Sequence, residues 1–86
     1  MPAALPRIVL VGKPGCHLCE AARATVARVA ADTGEEWVEH SILDDQQLHE
    51  RYWERIPVLL VDGVQVDYWH VDEQRMRAAL ARGRRL

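Results

Sequence analysis

The two cysteines of the chain, Cys16 and Cys19, are separated by two residues and are the side chains best suited to chemistry. A disulfide between them closes so short a loop that it removes little entropy from the unfolded chain, so a structural role explains the pair poorly. Two thiols one helical turn apart can instead form and break a disulfide with a substrate. The spacing therefore predicts a redox-active dithiol.

The place of the pair along the chain predicts a different role for each cysteine. An apolar run at residues 8–11 ends at a Gly-Lys-Pro-Gly turn, and an Ala-rich helical segment begins at Cys16. The N–H groups and positive potential at a helix start stabilise a thiolate and lower the pKa of a cysteine there from a free value of about 8.5. We expect Cys16 to attack a disulfide and Cys19 to resolve the mixed disulfide. A protonated His17 makes the couple more oxidising, or else this side chain only covers a surface.

The elements that position the pair follow from the hydrophobic pattern. Continuous apolar runs at residues 8–11 and 58–61 predict two strands covered on both faces, and mixed segments at 36–42 and 64–68 predict edge strands. Helices are predicted over residues 16–33, from an Asp44 cap to about Trp53 with Leu43 packed on Leu48, and from an Asp72 cap onward. Asp62-Gly63 predicts a hairpin turn.

The expected fold is therefore α/β, with the order β-α-β-α-β-β-α. The wholly apolar strands are expected at the centre, which gives a four-stranded mixed sheet in the order 2-1-3-4 with helices on both faces. The right-handed crossover rule makes the first two strands parallel, and the hairpin makes the last two antiparallel. With 86 residues, of which 49% are hydrophobic, the chain is expected to form one domain over residues 1–86.

Charge and hydropathy exclude two classes of partner. The formal net charge of −2 argues against a general nucleic-acid binder. No segment approaches the roughly 20 apolar residues that span a bilayer, and no basic leader is found at the start of the sequence. We therefore expect neither nucleic acid nor a membrane as a partner, and a cytoplasmic location.

These residues resemble the small bacterial glutaredoxin-like proteins of the thioredoxin-fold superfamily. The resemblance rests on the Cys-x-x-Cys after the first strand, on Lys13 three residues before Cys16, and on Arg55-Ile56-Pro57 at the start of the third strand. It implies a thioredoxin-like fold of the glutaredoxin type and a thiol-disulfide oxidoreductase. It also implies that Pro57 is cis and lies against the active-site disulfide, and that the Ile56 main chain pairs with the substrate. Lys13 and Arg55 are then candidates to hold a substrate carboxylate, although both also fit as solvated residues beside turns.

The sequence departs from glutaredoxins where those proteins hold glutathione. Glutaredoxins have Gly-Gly followed by Asp before the last helix, whereas this chain has Tyr68-Trp69-His70-Val71, and only Asp72 matches the acid. We expect no bound cofactor, and glutathione is a candidate co-substrate that the chain uses poorly. The expected partners are disulfide-containing proteins or small thiols, with glutathione or a thioredoxin-type reductase as electron donor.

Two other functions use the same cysteines. A Cys-x-x-Cys is half of a zinc site, but there is no second cysteine pair and no His-x3–5-His spacing, so no metal is predicted. A redox sensor or protein-interaction module of the same fold, with little catalytic turnover, is the stronger alternative. Turnover in a disulfide-reduction assay distinguishes it from an enzyme.

Overall fold

The computed structural model describes residues 6–83 and confirms the predicted order of elements. The elements are β1 (Ile8–Gly12), α1 (His17–Thr33), β2 (Trp37–Ser41), α2 (Gln46–Tyr52), β3 (Val58–Val61), β4 (Val64–Tyr68) and α3 (Glu73–Gly83). Within this described range, no helix combines the length and the apolar character needed to cross a membrane.

The four strands form one mixed sheet in the predicted order β2-β1-β3-β4. β1 runs parallel to β2 and antiparallel to β3, and β4 returns antiparallel to β3. The turn between β3 and β4 has φ values of 54° at Asp62 and 81° at Gly63, as a type I′ hairpin requires. This topology brings the carboxyl ends of β1 and β4 and the amino end of β3 to the same end of the sheet.

The larger core lies between one face of the sheet and the helices α1 and α3. Its α1 side chains include Ala22, Val26 and Val29, which the helical spacing predicts to face inward. The buried members of this core are Ile8, Leu10, Ala22, Val26, Val29, Ala30, Leu59, Val61, Met76, Ala79 and Leu80. Each Val or Leu buried in this way contributes about 1.5–3 kcal/mol relative to leaving it exposed.

A smaller core lies on the opposite face, beneath α2. Its buried members are Val11, Ile42, Tyr52 and Val58. The half-buried side chains that pack against them are Val9, Leu48, Ile56 and Leu60. Helices therefore cover both faces, as predicted, but α2 is short and covers much less than α1 and α3.

The start of α2 differs from the prediction by one residue. The N-cap is Asp45, whose side chain accepts hydrogen bonds from the main-chain N–H groups of Gln47 at 2.8 Å and Leu48 at 3.3 Å. The prediction of Asp44 was wrong because two consecutive aspartates offer the same capping chemistry. The predicted packing of Leu43 on Leu48 was also wrong, since Leu43 is 66% exposed.

Arg7, just before β1, joins three segments at the end of the sheet opposite the cysteines. Its guanidinium donates to both oxygens of Asp62 at 2.9 and 3.0 Å, to Glu35 at 2.8 Å and to the carbonyl of Leu80 at 2.9 Å. The hydrogen bond from Arg7 lowers the pKa of Asp62 and, in return, raises the pKa of Arg7. This network ties the hairpin, the segment after α1 and the end of α3 to the first strand.

Candidate redox site

Cys16 is the N-cap of α1, where a serine or aspartate is commonly found. Its backbone is extended, with φ −103° and ψ 117°, and its Sγ accepts a hydrogen bond from the N–H of Cys19 at 3.2 Å. An N–H group that donates to sulfur favours a negative charge on that sulfur. Cys16 is partly exposed, so its sulfur combines access to solvent with a donor from the first turn of the helix.

Cys19 lies one turn further along α1 and is completely buried. Burial, followed by the hydrogen bond with Cys16, raises the pKa of Cys19 to about 11, while a hydrogen bond from the Lys13 main-chain N–H opposes the rise. The two sulfurs are therefore close in sequence but differ in their exposure to solvent.

Gly12, the last residue of β1, provides the space that the buried sulfur occupies. A Cβ at this position would lie 2.9 Å from Cys19 Sγ and 3.4 Å from Cys19 Cβ. Contacts below 3.0 Å are not tolerated without movement, so any larger residue would displace the thiol. The requirement for glycine here comes from this close approach.

The Ile56–Pro57 peptide bond lies at the same end of the sheet and is cis. Val58 pairs with Val11 in the antiparallel register, so Pro57 follows that register opposite Gly12. The Pro57 side chain is fully buried, and Ile56 is half-buried against the smaller core. The topology thus brings the start of β3 to the strand end that leads into Cys16.

Trp69, in the loop after β4, adopts a backbone conformation that bulky residues rarely take. Its φ is 63°, yet its side chain is 48% exposed. The conformation is held by its main-chain N–H, which donates to Pro57 O at 2.8 Å, and by the indole Nε1, which donates to Glu54 O at 3.1 Å. The centroids of the Trp69 and Tyr68 rings lie 5.0 Å apart in an edge-to-face arrangement. The Trp69 side chain also lines a surface cleft together with Leu18 of the Cys-x-x-Cys segment. Trp69 therefore lines a cleft beside the Cys-x-x-Cys segment, with its main chain and indole each held by one hydrogen bond.

Asp67 fixes both ends of this loop and is a residue that sequence reasoning missed. It is 7% exposed, and its carboxylate accepts from the N–H of Tyr68 at 3.0 Å, from the N–H of Asp72 at 2.9 Å and from the Arg75 guanidinium at 3.2 Å. A register irregularity in the β3–β4 pair brings it inward. Nothing in the strand's composition marks an irregularity at this point.

The remaining predicted site residues lie in segments at the cysteine end of the sheet, with different contacts. Lys13 directly follows β1, His17 is the first residue of α1, and Arg55 precedes the cis bond, all with exposed side chains. Asp72 caps α3 as predicted, because its Oδ1 accepts from the N–H of Arg75 at 3.0 Å. Asp72, the residue that matches the glutathione-binding acid of glutaredoxins, thus stabilises the start of α3.

The histidines and carboxylates do not combine with the cysteines into a recognisable metal site. Among residues 6–83, no group of three or more His, Cys, Asp or Glu side chains is arranged to hold a metal ion.

Comparison with known proteins places this arrangement in a family. The profile of the glutaredoxin-like domain (DUF836) matches residues 7–81, which includes every element of the sheet. The chain belongs to the glutaredoxin-like domain family. Membership of this family and the Cys16–Cys19 pair together indicate a redox type of function.

Relatives of this chain include sequences and solved structures of similar length. Uncharacterized proteins of Mycobacterium tuberculosis and Mycobacterium bovis are each 29% identical over 82 residues, which cover 90% of this chain and 84% of theirs. A solution NMR structure of a protein from Nitrosomonas europaea superposes with a TM-score of 0.72 at 25% identity, covering 91% of this chain and 94% of that one. An X-ray structure of a protein from X. campestris also gives 0.72, at 32% identity, covering 87% of this chain and 96% of that one.

Proposed function

We propose that this glutaredoxin-like domain is a thiol-disulfide oxidoreductase that reduces or exchanges disulfides in the cytoplasm. The observation that carries the proposal is the asymmetry of the two cysteines: Cys16 is partly exposed at the helix start, and Cys19 is buried one turn behind it. A dithiol enzyme needs one sulfur that a substrate can reach and a second that waits until the first has reacted. The pair has this arrangement.

In the first step, the Cys16 thiolate attacks one sulfur of a substrate disulfide. A bond forms between Cys16 Sγ and that sulfur, the substrate disulfide breaks, and the second substrate sulfur leaves as a thiolate that takes a proton from solvent. The N–H of Cys19 supports the thiolate before attack, and a protonated His17 adds positive potential beside it. The product is a mixed disulfide between protein and substrate.

In the second step, Cys19 loses its proton to solvent and attacks Cys16 Sγ. The bond between Cys16 and the substrate breaks, the second substrate thiol is released, and a Cys16–Cys19 disulfide remains. The substrate disulfide has gained two electrons and the protein dithiol has lost two. An external thiol reductant returns the protein to the dithiol state, and the candidates are glutathione and a thioredoxin-type reductase.

The substrate is proposed to dock along the segment before β3. The main chain of Ile56 would pair with the substrate chain beside its disulfide, with the Pro57 ring against the sulfurs. Lys13 after β1 and Arg55 within this segment are both exposed and would hold a substrate carboxylate.

Glutathione is proposed to be a poor co-substrate. Trp69 and His70 stand where a γ-glutamyl group would have to approach the main chain, and Asp67 and the indole contact with Glu54 hold their loop in place. Asp72 is used as a helix cap, which leaves it less suited to bind an incoming amine. The expected loss is in affinity for glutathione, and the rate of thiol exchange itself is retained.

The proposal is tested with two single variants, Cys16→Ser and Cys19→Ser. Reduction of a protein disulfide is measured with glutathione and glutathione reductase, and separately with thioredoxin reductase, while NADPH consumption is followed. We expect turnover in the wild type, none in Cys16→Ser, and a trapped mixed disulfide in Cys19→Ser that mass spectrometry detects. Stoichiometric oxidation without turnover under either donor would instead support the redox-sensor alternative. A Cys16→Ser variant that retains exchange would overturn the assignment.

A further inference from the structure

An ion pair lies beside the buried thiol, on the side away from Cys16. Cys19 and Arg23 are four residues apart on α1, so their side chains are neighbours on one helix face. The Arg23 guanidinium donates two hydrogen bonds to the carboxylate of Glu39 on β2, from Nε to Oε1 and from Nη2 to Oε2, each of 2.7 Å. The pair is partly shielded, with side chains 39% and 27% exposed.

The gap at Gly12 connects this ion pair to the sulfur. A Cβ on Gly12 would lie 2.9 Å from Cys19 Sγ and 3.7 Å from Glu39 Oε2. The sulfur and the carboxylate therefore face the same small space, with no side chain from β1 between them. Because this space is closed on one side by the sheet, the charges act on the thiol with less screening than in water.

Charged and polar groups act on Cys19 and on the ion pair from two directions. Cys16 and the Lys13 main chain act on Cys19 from the turn before α1, and Glu39 acts on it from β2. Glu20, the residue after Cys19 on α1, adds to the raised pKa of Arg23. The third helix packs against α1 farther along, where Glu73 pairs with Arg28 and Arg77 pairs with Asp32. Glu39 is thus the charged side chain that acts on this sulfur from the sheet, and Arg23 is held against it from α1.

We propose that the Arg23–Glu39 ion pair sets the reactivity of Cys19 in the resolving step. Arg23 stabilises the Cys19 thiolate as it forms, whereas Glu39 opposes that charge and holds the guanidinium in place. Both are positioning residues, and neither contacts the substrate. This inference rests on the proposed function, in which Cys19 attacks the mixed disulfide.

The direction of the electrostatic effects supports this assignment. After burial and the contacts around Cys16, the charge of Glu39 contributes to the raised pKa of Cys19. The hydrogen bond to Glu39 is the main cause that raises the pKa of Arg23, and the charge of Cys19 adds to it. Replacing Glu39 should therefore lower the pKa of Cys19, and replacing Arg23 should raise it.

The experiment follows one turnover of the whole protein with an aromatic disulfide whose thiol product is coloured. Attack by Cys16 releases the first thiol, and attack by Cys19 releases the second, so the two steps are resolved in time. We expect Glu39→Gln to accelerate only the second release, by about threefold at pH 7, because a drop of one unit in pKa gives tenfold more thiolate but a weaker nucleophile. Arg23→Gln should slow it by a similar factor, and Arg23→Lys should restore it.

A matched control is Arg28→Gln, which breaks another α1 ion pair, the 2.6 Å contact with Glu73. It should leave both releases unchanged. Equal slowing in Glu39→Gln and Arg23→Gln, or no change in either, would overturn the proposal, because a purely structural ion pair loses the same contact whichever partner is replaced.

A second measurement keeps this test separate from the proposed function. In the Cys16→Ser background, alkylation of Cys19 is measured against pH in each variant, with melting temperatures to confirm folding. The pH at which alkylation of Cys19 reaches half its maximal rate should fall in Glu39→Gln and rise in Arg23→Gln. Absence of the first thiol release in the wild type would refute the proposed function, whereas unshifted midpoints would refute the role of the ion pair.

Discussion

Strand β1 carries a different kind of contact at each of its ends. Before its first residue, the charged side chain of Arg7 is held by two carboxylates and a carbonyl from segments far apart in the sequence. After its last residue, Gly12 offers no side chain, and the space is taken by the sulfur of Cys19. Cys16, in the next turn of chain, has a partly exposed sulfur.

The difference shows that only one end of β1 couples stability to reactivity. At the Arg7 end the hydrogen bonds link distant segments, so that loss of the side chain loosens the fold. At the Gly12 end one thiol is packed tightly and the other is left accessible, so that changes there alter the packing and the chemistry together. Variants at the Arg7 end should therefore change stability alone, whereas variants at the Gly12 end should change stability and reactivity.

The largest effect on stability is expected from Gly12→Ala. The new Cβ would overlap Cys19 Sγ, and overpacking of this kind costs about 1–3 kcal/mol in the free energy of unfolding. Denaturant unfolding of the reduced protein measures it. In a Cys19→Ala background, where the sulfur is absent, the same substitution should cost much less, and equal costs in both backgrounds would show that the close contact is not the reason for glycine.

Arg7→Gln tests the opposite end of β1. Loss of the charge-assisted hydrogen bonds to Asp62 and Glu35 should lower the free energy of unfolding by about 1–2 kcal/mol, because solvent partly screens these ion pairs, and should leave the exchange rate unchanged. Arg7 lowers the pKa of Asp62 from 3.8, so this stabilisation is present above that pH and is lost as the pH falls below it. A constant difference between variant and wild type from pH 7 to pH 2 would contradict the role of Asp62.

Trp69→Gly tests whether the Trp69 side chain limits glutathione binding. Glycine adopts φ 63° without strain, which offsets part of the lost packing, so the fold should be retained. The KM for glutathione should fall by about tenfold, which corresponds to about 1.4 kcal/mol. Trp53→Gly, at another tryptophan that is 53% exposed, is the control and should leave the KM unchanged. A low KM already in the wild type would show that Trp69 does not obstruct glutathione.

The smallest effect is expected from the pH dependence of the reduced protein. Burial raises the pKa of Cys19 from 9.0 to about 11, so the folded state keeps its proton where the unfolded chain loses it. The stability is therefore intact below pH 9.0 and declines between 9.0 and about 11, by about 1 kcal/mol at pH 10. Cys19→Ala should lack this decline, and a variant that declines equally would assign it to other groups.

The hydrophobic pattern and turn residues predicted the sheet correctly. Two continuous apolar runs mark central strands because only covered strands tolerate them, and Asp62-Gly63 fixes the hairpin through its positive φ values. The Cys-x-x-Cys segment was located because its chemistry depends on local spacing. These features are properties of short stretches of sequence.

Features that depend on distant partners were not predicted. Arg7 lies 28 residues from Glu35 and 55 from Asp62, and the sequence does not distinguish it from the other arginines. Asp67 turns inward only because the register of β3 and β4 is irregular, which requires both strands to be in place. The Arg23–Glu39 pair was missed for the same reason, since it joins a helix to an edge strand.

The division of roles between the two cysteines is tested most directly by competitive alkylation of the reduced wild-type protein. Cys16 and Cys19 are labelled with a limiting thiol reagent between pH 5 and pH 9, and each site is quantified by peptide mass spectrometry. We expect Cys16 to react first throughout the neutral and acidic range, by more than about a hundredfold over Cys19, because one sulfur is accessible and the other is buried and protonated. Equal labelling, or faster labelling of Cys19, would contradict the account.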